Sequence, residues 1–348
     1  MAAIEFSEEQ SMLLETAADF CRTHSPIDAV RIQIEQEHST TPELWQAMAD
    51  LGWLGVTIPE QYGGLGMSLA DAVPIVESMG RHLMGSPYVA TTLAAQALTT
   101  SGNEEQKTHW LSEIAAGAPA SLALTEEDGN WRLQEITATA TANGDALTLA
   151  GSKCFVLDAT QAKVVVASVM LDGVARLVLI QADQIPSGAL AREVVIDETR
   201  RSYTFQLDGI SVPQSQLLDG ADFVALEQAA MLLLVAEMSG GLAGVLHVII
   251  DYLTTRKQFD QYIGSYQSLK HPTVQILLSM EACRSHLYHA ATLMAAGDAE
   301  AAEEAVRMAK AQGSEAFAFA GDRAVQFHGG FGFTYECDAQ LYLSLIHI

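Results

Sequence analysis

Two segments near the C-terminal end of the chain combine a cation, amides and glycines in a way that suits nucleotide binding. The first is Arg256-Lys257-Gln258-Phe259, and the second runs from Gln326 to Gly332 and contains the pair Gly329-Gly330. A planar guanidinium gives paired hydrogen bonds to phosphate oxygens, and glycine lets backbone N–H groups approach a phosphate closely. Each segment falls where a helical pattern meets an irregular turn. Together they predict a grip on a dinucleotide that needs no Rossmann strand.

The glycine pair has a simpler explanation when it is taken alone. Glycine is common just past the end of a helix, so Gly329-Gly330 would then only end a helix, with Gln326 as a surface cap residue.

Charge restricts the possible ligands, because 18 basic and 43 acidic residues give a net charge of −25. That charge repels phosphate backbones and anionic membranes, which argues against nucleic-acid and membrane partners. An anionic ligand therefore needs a local cationic site.

Length and cysteine use are typical of an intracellular globular protein. With 348 residues and 49% hydrophobic content, the chain is long enough for a large core and more than one subdomain. It contains no CxxC pair and no histidines at metal-ligand spacing, so we expect no metal site and a reducing cytoplasm. The four cysteines are Cys21, Cys154, Cys283 and Cys337. The N-terminus, Met1 to Gln10, is acidic and polar, so no signal peptide is expected.

One apolar run could be mistaken for a membrane span. It extends from Ala229 to Ile250, and it is interrupted by Glu237, by His247 and by glycines. A charged residue and small residues within the run favour a buried helix in a soluble bundle over a helix that crosses a bilayer.

The N-terminal third of the chain has a helical pattern. Apolar residues recur at intervals of three and four, as in the run from Leu44 to Leu54, which gives each helix one apolar face. Thr41 is a predicted N-cap, and Asn103 is another because Gln106 follows three residues later. We therefore expect an all-helical first domain, residues 1–120.

A different pattern follows between residues 120 and 218. Short β-rich runs alternate with turn sequences such as Asn143-Gly144-Asp145, which predicts a small middle β-domain, barrel or sandwich, over 121–218. The runs are Thr137–Thr141, Leu147–Leu149, Val164–Ala167, Leu177–Ile180 and Tyr203–Leu207.

Helical patterning returns after this β-domain. It forms three long segments at 222–256, 266–296 and 298–328, and the last two are expected to pair antiparallel around Gly297. The third predicted domain is an incomplete four-helix-type bundle over 219–348. Helical, β and helical domains in this order make the predicted fold class α+β.

This domain order and four motifs resemble the acyl-CoA dehydrogenase family over nearly the whole chain, from Phe6 to about Tyr342. The motifs stand in family order and are Leu51–Gly55, Pro59–Gly64, the Arg256 segment and the Gln326 segment. The resemblance implies a flavoprotein that binds FAD as a homodimer or tetramer and oxidises an acyl-CoA thioester to its 2,3-enoyl form. It also implies that the electrons pass to an electron-transferring flavoprotein.

The resemblance assigns individual residues to the FAD. The C-terminal segments would hold the FAD of a neighbouring subunit, with Arg256 on its pyrophosphate. Residues with this implied role are Arg256, Gln258 and Phe259, with Ile263, Tyr266 and Gln267 on the adenosine side and Gln326, Gly329 and Gly330 on the ADP portion. In the β-domain, Leu124 and Thr125 would meet the flavin ring, and Phe155 would pack on it from a strand that continues to Leu157. The alternatives are that Thr125 is an ordinary loop residue and Phe155 a core residue.

The implied reaction needs a base for the α-proton. A carboxylate in a dry pocket suits this task, because desolvation raises its pKa towards the working pH. In many relatives that Glu lies beyond the Gln326 segment, in sequence that this chain does not contain, and in others it falls at the position of Ala230. Glu237 is the candidate base, since it lies two turns further along about the same face and stands alone in the apolar run. Glu336 is a second candidate, and a structural Glu237 bonded to a neighbouring helix or polar group is the alternative.

The sequence departs from the family pattern in two places. After Thr125 and Glu126 most relatives have a proline and a glycine- and serine-rich loop, whereas here Glu127-Asp128-Gly129-Asn130-Trp131 follows, so substrate contacts cannot be transferred. Residues 343–348 resemble translated sequencing adapter, so we expect a truncated reading frame there. The segment from Phe331 to Glu336 is most similar to the branch that includes subunits handling bulky, steroid-derived or unusual acyl-CoAs, some of which work as heteromers. The alternative function is therefore a non-catalytic subunit that completes the FAD site of a partner.

Overall fold

A computed structural model describes residues 8–127 and 130–345. Helices form the N-terminal part of the chain, strands the middle part and a helical bundle the C-terminal part, which confirms the predicted α+β fold class. The predictions for the first seven residues, for Asp128-Gly129 and for 346–348 lie outside the described residues.

The N-terminal helices begin where the sequence places its caps. Thr41 accepts a hydrogen bond from the Leu44 N–H at 3.2 Å, and Asn103 and Gln106 form the predicted capping box. A π-helical turn, Lys107–Leu111, lies between the last two of these helices. The helices are α1 (Glu8–His24), α2 (Ile27–Ile34), α3 (Pro42–Asp50), α4 (Leu69–Arg81), α5 (Tyr88–Ser101), α6 (Glu104–Gln106) and α7 (Ser112–Ala115).

The middle part of the chain forms two sheets around a common core. A six-stranded sheet has the order β1-β5-β2-β3-β9 with β6 also paired to β5, and a three-stranded sheet has the order β4-β8-β7. Leu149 and Val165 from the first sheet share one buried cluster with Val156 and Phe205 from the second. The strands are β1 (Ala120–Ala123), β2 (Thr139–Asn143), β3 (Ala146–Ala150), β4 (Ser152–Leu157), β5 (Val164–Leu171), β6 (Val174–Gln181), β7 (Leu190–Arg192), β8 (Ser202–Gln206) and β9 (Ser211–Pro213).

Three long helices form most of the C-terminal bundle and match the predicted segments within two residues. They are α8 (Phe223–Thr255), α9 (Gln267–Ala296) and α10 (Ala299–His328), and α11 (Ala339–Leu345) follows them. A short hairpin, β10 (Lys257–Gln258) and β11 (Gln261–Tyr262), connects α8 to α9. By length and composition α8 could cross a membrane, but 72% of its most apolar window is buried inside the protein. That burial is the pattern of a core helix.

The N-terminal and C-terminal helices share one hydrophobic core and cross closely. Glycines lie where α4 and α8 cross. A Cβ on Gly240 would lie 1.8 Å from the Glu77 carbonyl oxygen. A Cβ on Gly80 would lie 2.1 Å from the carbonyl oxygen of Glu237. Because neither glycine can be enlarged without separating the helices, the middle of α8 is held firmly against α4.

Candidate functional site

Arg256 is the residue at which α8 ends and the hairpin begins. Its N–H donates to the Tyr252 carbonyl at 3.0 Å, and its own carbonyl accepts from the Ile263 N–H at 2.9 Å. Between these bonds the hairpin turns through Phe259 and Asp260, whose φ angles of 52° and 60° lie in the left-handed region. The closed hairpin therefore holds the Arg256 backbone at the surface in a defined conformation.

Most of the side chains that the resemblance assigns to FAD lie on the surface of this hairpin. Phe259 is 86% exposed, and Gln258 and Gln267 are exposed as well. The Tyr266 hydroxyl donates to the Gln258 carbonyl at 3.1 Å and braces the hairpin against the start of α9. Ile263 differs from the others, because it is 8% exposed and packs in the core. It supports the hairpin from behind, so its position does not favour a contact on the adenosine side, and that role stays a prediction.

The second predicted segment begins on the last turn of α10, where Gln326 is exposed. The helix ends at Gly329, whose φ of 60° and ψ of −137° are conformations that few residues other than glycine adopt. Gly330 has no positive φ, and a Cβ built on it would meet no atom within 4 Å. The backbone conformation at position 329 explains why that residue is a glycine. The second glycine has no explanation within the described part of the chain, and the open space beside its backbone suits a ligand.

The two segments meet in the structure although they are far apart in sequence. The rings of Tyr252 and His328 stack with centroids 4.1 Å apart and an interplanar angle of 26°. His328 Nδ1 lies 2.7 Å from the Ala324 carbonyl oxygen, which fixes the ring on α10. Tyr252 is one turn before Arg256, so the stack places the cation beside the turn that follows Gln326. The sequence prediction missed His328, and its position inside the second segment was the only signal for it.

The β-domain residues predicted to meet the flavin lie on adjacent segments. The Cys154 N–H donates to the Thr125 carbonyl at 3.0 Å, and the Thr125 hydroxyl donates to the Cys154 carbonyl at 2.6 Å. Phe155 follows at a bulge in β4 with a φ of 53°, and 45% of it is exposed, so it is not a core residue. Leu124 and Leu157 are partly exposed on either side.

A buried ion pair fastens these two segments together. The Lys153 ammonium donates to Glu126 Oε1 at 2.7 Å and to the Ser168 hydroxyl at 2.9 Å. Glu126 also accepts from the backbone N–H groups of Thr137 at 2.9 Å and of Ala138 at 3.0 Å. Burial would raise the pKa of Glu126, but the hydrogen bonds from Ala138, Lys153 and Thr137 outweigh it and lower the pKa to about 2. Glu126 is therefore ionised at neutral pH.

The candidate site residues form two groups, one at the ends of α8 and α10 and one on the β-domain, which we name the helix-end face and the strand face. The helix-end face consists of Arg256, Gln258, Phe259, Gln326, Gly329 and Gly330, and the strand face of Leu124, Thr125, Phe155 and Leu157. Within 8–127 and 130–345, no hydrogen bond, ion pair or ring contact joins one face to the other. A ligand with a phosphate end and a planar aromatic end would use both kinds of face.

Family models match both helical parts of the chain. Residues 7–118 match the model described as acyl-CoA dehydrogenase, N-terminal domain, and residues 226–345 match the acyl-CoA dehydrogenase, C-terminal domain. The chain belongs to the acyl-CoA dehydrogenase family. Proteins of this family are oxidoreductases, and their cofactor is FAD.

Individual relatives cover nearly the whole of this acyl-CoA dehydrogenase family member. Acyl-CoA dehydrogenase FadE12 of Mycobacterium tuberculosis is 31% identical over 95% of this chain and 88% of its own length. Acyl-CoA dehydrogenase IpdE2 of Mycolicibacterium smegmatis is 29% identical over 98% of this chain and 93% of its own. A variant of the Tcur3481-Tcur3483 steroid ACAD is 27% identical with a TM-score of 0.88, covering 98% of this chain and 92% of that one. The ChsE4-ChsE5 complex from Mycobacterium tuberculosis shares the fold. It is 24% identical with a TM-score of 0.89, covering 99% of this chain and 92% of that one.

The residues present in this acyl-CoA dehydrogenase fit an FAD. On the helix-end face, Arg256 is exposed and makes no ion pair with any carboxylate in the described part of the chain. It is a cation available to a pyrophosphate in a protein of net charge −25. The open space at Gly330 and the exposed ring of Phe155 suit a phosphate and an isoalloxazine respectively.

The structure pairs Glu237, the candidate base, with an arginine from the β-domain. Glu237 is 5% exposed, and its carboxylate accepts a hydrogen bond from Arg200 Nη2. On its other side Arg200 Nε lies 3.4 Å from Asp197 Oδ2, so the guanidinium lies between two buried carboxylates. This geometry favours the structural alternative, because the base would have to leave its cation before it could take a proton. The function of Glu237 as the base of this acyl-CoA dehydrogenase stays a prediction that the contacts do not favour.

The other positions considered for the base do not supply one either. Ala230 is partly buried on α8 and has no titratable group, and Glu336 is exposed rather than in a dry pocket. Every buried carboxylate in the described ranges has polar partners. These carboxylates are Glu77, Glu126, Asp158, Asp197 and Glu237.

Asp158, at the end of the strand that carries Phe155, is expected to make the stability of the protein depend on pH. It is 3% exposed, and burial raises its pKa to about 6 against the opposing effect of Ser39, Arg200 and Arg201. An acid whose pKa is raised on folding loses stability as the pH climbs from its unfolded pKa to its folded pKa. For Asp158 that window extends from 3.8 to about 6.

We expect Asp158→Asn to be more stable than wild type, and by more at pH 8 than at pH 5. The amide cannot ionise, so the variant gains about 3 kcal/mol at pH 8 and about half of that at pH 5. Chemical denaturation at the two pH values measures the difference. Asp145→Asn, the same change at an exposed turn residue, is the control and should show no such trend. An Asp158→Asn variant whose advantage is equal at both pH values would contradict the assignment.

Proposed function

We propose that this chain acts as an FAD-dependent acyl-CoA dehydrogenase that converts an acyl-CoA thioester to its 2,3-enoyl form. The observation that carries the proposal is the convergence of Arg256 with the Gly329-Gly330 turn through the stack of Tyr252 on His328. That stack brings a cation and an accessible glycine turn together at one end of the bundle. Bound FAD would accept the hydride that leaves the β-carbon of the thioester.

The two faces would contact different parts of FAD. On the helix-end face, Arg256 would hold the pyrophosphate and the backbone at Gly330 would approach the ADP portion. Gln258, Phe259, Tyr266, Gln267 and Gln326 would pack around the nucleotide. On the strand face, the Thr125 hydroxyl would meet the polar edge of the flavin and Phe155 its plane, with Leu124 and Leu157 beside them.

The arrangement of the two faces supports a site shared between subunits. Phe259 is 86% exposed on a hairpin whose strand residues are all exposed, and no contact within 8–127 and 130–345 links it to the strand face. A second subunit that brings its helix-end face to this strand face would cover both. We therefore include a homodimer, a tetramer or a heteromer in the proposal, with an electron-transferring flavoprotein as the electron acceptor.

A second candidate function follows from the carboxylates. Because each buried carboxylate in the described residues already has partners, the chain fits a non-catalytic subunit that completes a partner's FAD site. The base would then come from the other subunit. The ChsE4-ChsE5 complex, which shares this fold, is a heteromeric example.

Similarity to a named relative supports a substrate class, and the cysteines support a compartment. The Tcur3481-Tcur3483 protein is a steroid ACAD, so a bulky, steroid-derived acyl-CoA is the substrate class that we propose. All four cysteines are free and buried, which suits the reducing cytoplasm that the sequence predicts.

Turnover by the purified chain separates the two candidate functions. The chain is purified, saturated with FAD and offered short, long and steroid-derived acyl-CoAs with an artificial electron acceptor. Formation of enoyl-CoA by the chain alone supports the dehydrogenase. Bound FAD with no turnover on any thioester supports the non-catalytic subunit, and failure to bind FAD contradicts a dehydrogenase formed by copies of this chain alone.

Gly330→Ala is expected to weaken FAD binding without changing the stability of the protein. A Cβ at this position meets nothing within 4 Å in the free chain, so the melting temperature should stay the same. In the complex the methyl group would stand between the backbone and the ADP portion. We expect a loss of affinity of about tenfold or more, since a hydrogen bond to a charged group contributes about 1.5–3 kcal/mol and about 1.4 kcal/mol is tenfold in affinity. Flavin fluorescence titration measures the dissociation constant, and unchanged affinity would remove Gly330 from the site.

A further inference from the structure

Trp131 and Phe155 form an exposed aromatic pair beside the strand face. Their rings are stacked, with centroids 5.6 Å apart and an interplanar angle of 23°. Trp131 is 63% exposed and Phe155 is 45% exposed. Adjoining exposed apolar surface of this kind marks a ligand or partner site more often than a solitary exposed residue does. The proposed flavin position accounts for Phe155 but leaves Trp131 unexplained.

The backbone of Phe155 is held in its conformation by a carboxylate. Its φ of 53° is a left-handed conformation that is unfavourable for a residue other than glycine. Its N–H donates to Glu193 Oε2 at 3.2 Å, and Glu193 also accepts from the hydroxyls of Ser202 at 2.6 Å and Thr204 at 2.9 Å. These bonds fix where Phe155 leaves the strand. They do not fix the orientation of its ring.

A separate set of hydrogen bonds holds the turn that contains Trp131. The Asn130 side chain accepts from the Arg132 N–H at 3.0 Å and donates to Glu135 Oε2 at 2.6 Å. Arg132 and Glu135 close the turn with an ion pair of 2.9 Å. None of these three contacts involves the Trp131 indole. The indole instead stacks on one face of the Phe155 ring.

We propose that Trp131 is a positioning residue for the flavin. Its indole lies on one face of Phe155 and sets the ring so that the other face meets the isoalloxazine. The inference rests on the proposed function, because it takes the flavin to be the ligand of Phe155. The residue acts through Phe155 and not on the reacting atoms.

The test measures FAD affinity in the complete chain with two variants at this position. Trp131→Ala should raise the FAD dissociation constant about 2- to 10-fold, the range that an aromatic pair contributes. Trp131→Phe keeps a ring over Phe155 and should restore wild-type affinity within about twofold. The visible circular dichroism of bound FAD should change in the alanine variant and return in the phenylalanine variant. A purely structural role would lower the melting temperature and leave that spectrum unchanged.

A double-mutant cycle with Phe155→Ala tests whether the effect passes through Phe155. Once Phe155 is removed, Trp131→Ala should have no further effect on FAD affinity. Val194→Ala, on a fully exposed side chain of the same domain, is the control and should change nothing. Full additivity, tighter FAD binding by Trp131→Ala or unchanged affinity in that variant would each overturn the inference. A wild-type chain that binds no FAD would overturn the proposed function as well, so the two failures are distinguishable.

Discussion

Replacement of Arg200 by methionine is expected to lower the free energy of unfolding by about 3–5 kcal/mol. The variant leaves the carboxylates of Glu237 and Asp197 buried without their cation, since these groups are 5% and 3% exposed. A methionine fills the space but gives no positive charge. Because Arg200 belongs to the β-domain and Glu237 to α8, the same change should loosen the strand face against the bundle. Urea denaturation of the two proteins measures the loss.

The same ion pair decides between the two interpretations of Glu237. If Glu237 is structural, Glu237→Gln should destabilise the protein, and the double variant Arg200→Met with Glu237→Met should recover most of the loss. Recovery should be incomplete, because Asp197 still lacks its cation. If Glu237 is the base, Glu237→Gln should abolish flavin reduction by a thioester while stability and bound FAD remain.

A matched surface substitution controls for the loss of an arginine. Arg323 pairs with Asp322 at 2.6 Å, but the two side chains are 38% and 62% exposed. Arg323→Met should therefore cost no more than about 1 kcal/mol. An Arg200→Met variant that is no less stable than Arg323→Met would show that the buried pair does not hold α8 to the β-domain.

Glu126→Gln is the second substitution with a large expected effect, again about 3–5 kcal/mol. The Lys153 ammonium, which is 0% exposed, then loses its carboxylate partner and keeps only its hydrogen bond to the Ser168 hydroxyl. The cost should depend on pH in a defined direction. A carboxylate whose pKa is lowered on folding contributes its stability above the unfolded pKa and loses it as the pH falls. For Glu126 that window extends from 4.5 down to about 2.

The Glu126 substitution should also weaken FAD binding, because the pair joins the segments that carry Thr125 and Phe155. The control is Glu303→Gln on α10, whose pair with Arg307 at 3.0 Å is 44% and 49% exposed and should contribute less than about 1 kcal/mol. The melting temperature at pH 7 and flavin fluorescence titration measure the two effects. A Glu126→Gln variant as stable as the Glu303→Gln variant would contradict the importance of the buried pair.

The long helices were predictable because local signals agree with the tertiary structure. The predicted 222–256 segment is observed as Phe223–Thr255, with Asp222 as a cap that accepts from the Ala225 N–H. Short strands were missed for physical reasons. The β1 sequence, Ala-Ser-Leu-Ala, has no β-branched residue, and β7 and β9 have three residues each, so their pairing depends on partners distant in sequence.

The site was predictable only in part. The residue types of the Arg256 and Gln326 segments indicated a nucleotide, but the stack of Tyr252 on His328 that joins them is a tertiary contact. A lone Glu237 in an apolar run indicated a buried carboxylate that needs a partner. The sequence could not name that partner, because Arg200 belongs to a loop of the other domain. The stack of Trp131 on Phe155 was hidden for the same reason.

The most direct test of the proposed function is a single anaerobic reduction of bound flavin. The FAD-loaded chain is mixed with a steroid-derived acyl-CoA in the absence of oxygen and of any acceptor, and the visible flavin absorbance is recorded with time. We predict that the absorbance bleaches as enoyl-CoA forms, one equivalent for each flavin. A flavin that stays oxidised with every thioester offered, while dithionite bleaches it normally, would contradict the claim that this chain is a dehydrogenase.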